Sequence, residues 1–64
     1  MVRYRHYKGG IYEFICEATL ESDPTIKMVV YRASNGSIWT RPASVFFEPV
    51  ECDGTQVPRF TQID

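Results

Sequence analysis

Leucine and alanine are nearly missing from this chain: its 64 residues include one Leu and three Ala. Both lose little conformational freedom in a helix, so their scarcity argues against a helical protein. Long apolar runs are lacking too. None exceeds four residues, which leaves no candidate for a membrane-spanning helix or a signal-peptide core. Charge of one sign is also absent, with seven Lys+Arg against eight Asp+Glu and a formal net charge of −1. That balance removes the strongly basic surface of a typical nucleic-acid binder, and 44% hydrophobic content argues against disorder. Cysteine is scarce: Cys16 and Cys52 form no C-x-x-C pair, so neither a disulfide scaffold nor a zinc ribbon is indicated. Both thiols read as reduced, in a cytoplasmic domain. His6, Cys16 and Cys52 have no fourth ligand of matching type and no local spacing, so neither a metal site nor a cofactor is expected.

What is present favours strands. Val, Ile and Thr make 16 residues and the aromatics add nine, all suited to a pleated, half-buried surface. A chain of this length buries only about 60% of its unfolded surface, enough for one modest core, so residues 1–64 are read as a single domain.

From Ile11 to Glu21 the pattern alternates with period two. Tyr12, Phe14, Cys16, Ala18 and Leu20 are expected inward, and the glutamates between them outward. Ser22-Asp23-Pro24-Thr25 is a turn, and a five-residue connection from Glu21 to Thr25 sets Leu20 opposite Ile26 and Ala18 opposite Met28. Asn35-Gly36 predicts a two-residue type I′ hairpin, with Arg32 across from Trp39 and Val30 across from Arg41. Phe14, Cys16, Ala18, Leu20, Ile26, Met28, Val30 and Trp39 then share the core side. On the other side Ile15, Val29, Tyr31 and Ile38 form an apolar stripe for the C-terminal segment or a second chain to cover. Arg41-Pro42 ends the strand, Ala43 to Phe47 makes one helical turn, Glu48 to Glu51 a short strand, Asp53-Gly54 a turn, and Val57 opens a last segment running to Ile63.

Tyr4-Arg5-His6-Tyr7-Lys8-Gly9-Gly10, Trp39-x-Arg41-Pro42 and Pro58-Arg59-Phe60, with Tyr12, Val30-Tyr31-Arg32 and Phe46-Phe47-Glu48 between them, resemble a bacterial family of unknown function across nearly the whole chain. The resemblance implies a small, SH3-like, partly open β-barrel of about five antiparallel strands, and it implies no biochemical role.

Two groups of residues invite a ligand. In the expected register Arg32, Trp39 and Arg41 share one face, where an indole beside guanidinium groups holds a planar or acidic ligand. Tyr4, Arg5, His6 and Tyr7 mix cations with rings, as single-stranded nucleic-acid grooves and peptide grooves both do. Arg59 is a candidate to join them. Each group also has a plain packing reading, in which Trp39 closes the core and the N-terminal tyrosines cover a barrel end. Catalysis has little to work with: His6 is the only histidine, and no G-x-S-x-G, H-E-x-x-H or phosphate-binding glycine loop occurs. The sequence therefore reads as a binding module for nucleic acid or peptide and not as an enzyme. The alternative is an accessory, self-associating barrel, monomeric or a weak homodimer, with no tie to a membrane.

Overall fold

A computed structural model describes residues 1–64. The chain runs β1 (Arg3–His6), β2 (Ile11–Thr19), β3 (Lys27–Ala33), β4 (Ile38–Pro42), α1 (Ala43–Phe46), β5 (Pro49–Cys52), β6 (Thr55–Pro58) and β7 (Phe60–Gln62). Five strands form an antiparallel sheet in the order β4-β3-β2-β1-β7, and β5 and β6 form a separate hairpin. The class is all-β with one helical turn, as expected. The large sheet stays open, with β4 and β7 as its edges. Two strands beyond the expected five arise because the N-terminal tract is itself a strand and the C-terminal segment breaks at Arg59. The N-terminal tract lies between β2 and β7, tied at its ends by Tyr7 N–H to the Arg59 carbonyl (2.9 Å) and by Ile63 N–H to the Arg3 carbonyl (2.9 Å). The only helix is four residues long, so none could cross a membrane.

Two turns share one design. His6 N–H donates to the Gly10 carbonyl and Gly9 N–H to the His6 carbonyl, both at 2.7 Å. Ala33 N–H donates to the Ser37 carbonyl (2.8 Å) and Gly36 N–H to the Ala33 carbonyl (2.9 Å). Each is a three-residue loop whose third residue, Gly9 or Gly36, has positive φ (106° and 88°), a region that only glycine enters without strain. The two-residue turn expected at Asn35-Gly36 is therefore corrected. Asn35 keeps a negative φ because its Oδ1 accepts from Ser37 N–H (3.0 Å) and Ser37 Oγ (2.6 Å), which holds the chain in an Asx turn. The two-residue form occurs instead at Asp53-Gly54, where φ is 52° and 78° and Cys52 pairs with Thr55.

One extra loop residue shifts the whole β3–β4 ladder. Tyr31 now faces Trp39, Arg32 faces Ile38, and Val29 faces Arg41. A second one-residue event lies in β2. Ala18 opposes Met28 as expected, but a bulge between Phe14 and Cys16 leaves Ile15 unpaired and sets Phe14 opposite Tyr31. A bulge reverses the facing of every residue beyond it. The expected core side is corrected accordingly: Cys16 is exposed, Met28 and Val30 are half-buried on the open face, and Trp39 is exposed. Val29 and Tyr31, placed by the sequence in an outer stripe, are buried, while Ile15 and Ile38 from the same stripe remain exposed.

Four residues make the core: Val29, Tyr31, Phe46 and Phe60, with Tyr4, Tyr12, Phe14 and Ala43 packed around them. Pro42 (φ −55°, ψ 137°) ends β4 and starts α1, whose single turn carries Phe46 over the sheet. Phe46 is 0% exposed and stacks flat on Phe60, ring centroids 4.0 Å apart and planes 4° apart. Tyr4 (5.3 Å) meets Phe46 edge-on, and Tyr31 (5.6 Å) leans against it. Truncating a buried Phe costs about 3–5 kcal/mol. A domain of this size has only about 3–10 kcal/mol in total. Phe46→Ala is expected to abolish the cooperative thermal transition, whereas Phe46→Leu keeps it with a lowered midpoint. A melt of Phe46→Ala that matches the wild type would refute this account of the core.

Candidate functional site

The sheet has two faces of different chemistry. On the side covered by α1 stand Trp39 and Arg41 of β4, Val29 and Tyr31 of β3, Tyr12 and Phe14 of β2, Tyr4 and His6 of β1, and Phe60 of β7. The opposite side carries Arg3 and Arg5, Ile11 and Glu13, Arg32 and Ile38. Of the residues singled out from the sequence, His6, Trp39 and Arg41 share the aromatic side, and Tyr7 and Arg59 adjoin it. Tyr4 packs into the core between Phe14, Phe46 and Phe47. Arg5 and Arg32 lie behind the sheet. The expected pairing of Arg32 with Trp39 is thereby corrected: the third loop residue turns Arg32 away, and its Nη1 lies 3.7 Å from Glu13 Oε1.

At the β3–β4 end of the aromatic side is an open cleft of about 360 Å³, lined by Tyr12, Tyr31, Ala33, Asn35, Ser37, Trp39 and Arg41. Tyr12 and Tyr31 meet edge to face at 5.5 Å and form its floor. Trp39 is 56% exposed yet held in place, since its Nε1–H donates to Ser37 Oγ (2.6 Å), which donates in turn to Asn35 Oδ1 (2.6 Å). The same turn that sets the register also braces the indole. Arg41, two residues along β4 and about 7 Å away, points the same way. No carboxylate lies within ion-pair distance of it, and its guanidinium is 6.0 Å from the centre of the Phe60 ring. Tyr12 and Tyr31 escaped the sequence reading as site residues because alternation marked one as core and the other as outer stripe. The Asn35-x-Ser37-x-Trp39 spacing was the available signal for the brace.

Both sides of the sheet carry ion pairs and unpaired cations. Behind it, Arg3 is joined to Asp64 (2.7 Å) and Arg32 to Glu13, so the hollow between Met1, Ile11 and Gly36 is close to neutral. Arg5 has no such partner and lines a separate hollow with Tyr7, Cys52 and Val57. On the aromatic side Arg59 contacts Glu48 (3.1 Å), while its buried Nε has no partner. Arg41 and Lys8 carry no carboxylate. Lys8 Nζ lies 5.8 Å from the Tyr7 ring centre. Cys16 and Cys52 are free thiols, and no three His, Cys, Asp or Glu side chains come together.

His6 registers this local excess of positive charge. Its ring packs on Phe60 (4.9 Å) and Tyr7 (4.7 Å). Burial first, then repulsion from Arg41, Arg59 and Lys8, holds its imidazole below the ordinary value of 6.5. Lys8 N–H donates to His6 Nδ1 (3.2 Å), an acceptor that only the neutral ring offers. As pH falls the unfolded chain binds this proton first, so stability is complete above 6.5 and declines as pH drops through that value. It levels off once the folded ring is protonated as well. The carboxyls of Asp23 and Asp64, held below their usual 3.8 by hydrogen bonds from Thr25 and Arg3, titrate lower and leave this window clear. His6→Gln is therefore expected to flatten the dependence of the thermal midpoint on pH between about 7 and 5. An unchanged slope would mean that the ring is not held neutral.

The search of curated proteins and the search of solved structures each return no match. The family described as "Protein of unknown function (DUF1653)" matches residues 2–62. That span includes both glycine turns, the indole brace and every cation of the aromatic side, and the chain belongs to this family.

Proposed function

We propose that the domain is a non-catalytic binding module for single-stranded nucleic acid, taking a base against Trp39 and a phosphate on Arg41. The reading rests on one observation: an exposed, braced indole stands two residues from an arginine that no carboxylate neutralises. A nucleotide offers a flat ring and an anion a few ångströms apart, which matches that spacing. Base stacking on an aromatic side chain contributes about 1–3 kcal/mol, and a pre-fixed ring loses little freedom on binding. Arg59 and Lys8 extend the positive side toward the β1–β2 turn, a path for the next phosphates. The net charge of −1 does not oppose this, because Arg41 and Lys8 have no carboxylate within ion-pair distance, while Glu13 and Asp64 are engaged behind the sheet. The two free thiols suit a reducing compartment such as the cytoplasm.

A proline-rich peptide also lies on aromatic rings, but its backbone offers carbonyls that need donors. The indole N–H of this cleft is already engaged by Ser37, and the remaining donor group, the Arg41 guanidinium, carries an uncompensated charge that an anion uses and a neutral backbone does not.

Trp39 is the only tryptophan, so its fluorescence reports on the cleft without further labelling. Titration with oligothymidylate and oligouridylate is expected to quench it, with affinity falling as salt rises. Trp39→Ala, followed by anisotropy of a labelled oligonucleotide, and Arg41→Ala should each weaken binding about tenfold. Arg32→Ala, behind the sheet, should leave it unchanged. No quenching at low salt, or equal affinity for Arg41→Ala and wild type, would overturn the reading. Quenching by a proline-rich peptide alone would replace it with the peptide one.

A further inference from the structure

β4 is an edge strand with no strand paired to its outer side, and its three exposed residues, Ile38, Trp39 and Thr40, are consecutive. The direction of its free backbone groups follows from the turn. Ala33 N–H bonds the Ser37 carbonyl, so Ser37 and, by alternation, Trp39 and Arg41 point their peptide groups toward β3. Ile38 and Thr40 then point theirs to the open edge, while the Pro42 carbonyl is taken by the first turn of α1. Pro42 has no N–H to offer in either direction, and an outward position is where that omission disturbs the sheet least.

This edge is complementary to itself. We infer that two copies of the chain pair antiparallel through β4, with a two-fold axis at Thr40. In that register Thr40 lies opposite Thr40 of the second copy, and the two exchange both backbone hydrogen bonds. The Pro42 carbonyl is the N-cap acceptor of α1 and takes no part, so the backbone contribution is the pair of bonds exchanged at Thr40. Trp39 comes opposite the second copy's Arg41, twice by symmetry, in the closer, non-hydrogen-bonded kind of pair. The indole and the carboxylate-free guanidinium thereby supply each other with a cation–π partner. No other antiparallel register both sets Trp39 against Arg41 and places outward-pointing groups opposite outward-pointing ones. The two five-stranded sheets become one of ten strands, with both aromatic sides facing the same way.

The edge is only five residues long, short against the about 1,200 Å² that stable interfaces bury, so the assembly depends on concentration. The inference does not depend on the nucleic-acid reading, since the cleft is complete within one chain. Pairing draws on the indole and guanidinium that a nucleotide would also use, so the two modes compete for Trp39 and Arg41.

Sedimentation equilibrium of the wild-type chain is expected to show the mass doubling between low and high micromolar concentration. Thr40→Lys, which sets two like charges face to face on the axis, should remain monomeric. Thr40→Val, which loses the same side-chain bond to the Val29 carbonyl but adds no charge, should still dimerise. Thr40→Glu alone should also be monomeric, and mixing it with Thr40→Lys should restore the dimer. Far-UV circular dichroism of each variant separates loss of pairing from loss of fold. A wild type that stays monomeric throughout, or a Thr40→Lys variant that dimerises as the wild type does, would overturn the inference. Thr40→Lys retains Trp39 and Arg41, so its response to oligothymidylate tests the ligand reading separately.

Discussion

The hairpin from Ala33 to Ser37 closes with three loop residues, and that number governs everything placed on β4. A strand side chain has two directions open to it, so a shift of one residue moves it fully from one face to the other. With three residues Trp39 and Arg41 join Tyr31 and the aromatic side. With two, Arg32 would have stood opposite Trp39. Asn35 decides between these outcomes through bonds to Ser37, and Ser37 then receives the indole N–H. Register and site geometry thus have a common cause in two polar side chains, Asn35 and Ser37, at one turn.

The core and the site are continuous. Four buried residues are few for a folded domain, and three of them are aromatic. Rings suit such a small interior because each removes a large area from water and the edge-to-face contacts add to that burial. The network of rings runs outward from Phe46 and Phe60 through Tyr31 and Tyr12 to the cleft floor, and through His6 to Tyr7 at the first turn. Rim positions are occupied by cations, with Arg41 over Phe60 and Lys8 near Tyr7. A chain with almost no net charge can in this way set cations beside its rings, because Arg41 and Lys8 have no carboxylate partner.

Much of the fold is written in local preference. The scarcity of Leu and Ala, the alternation in β2, the Pro42 boundary and the turn at Asp53-Gly54 each act over a few residues, and each is visible without coordinates. The connection between β2 and β3 even carries the correct pairing of Ala18 with Met28. Beyond that, inference from pattern failed at two points, the bulge at Ile15 and the third residue of the Ser34-Asn35-Gly36 loop. Neither alters composition or period enough to be seen, and each reverses a face. Site residues followed the same division. His6, Trp39 and Arg41 could be named from their chemistry, while Tyr12 and Tyr31 could not, and Arg32 was set on the wrong side.

By itself the sequence determined an all-β chain, its turns and the residue types able to bind a ring and an anion, because propensity and turn chemistry are short-range. Which of those residues stand together was decided only in the tertiary structure. Facing depends on register, and register on single-residue events in β2 and the β3–β4 loop, whose outcome brings together Val29, Tyr31, Phe46 and Phe60 from distant parts of the chain.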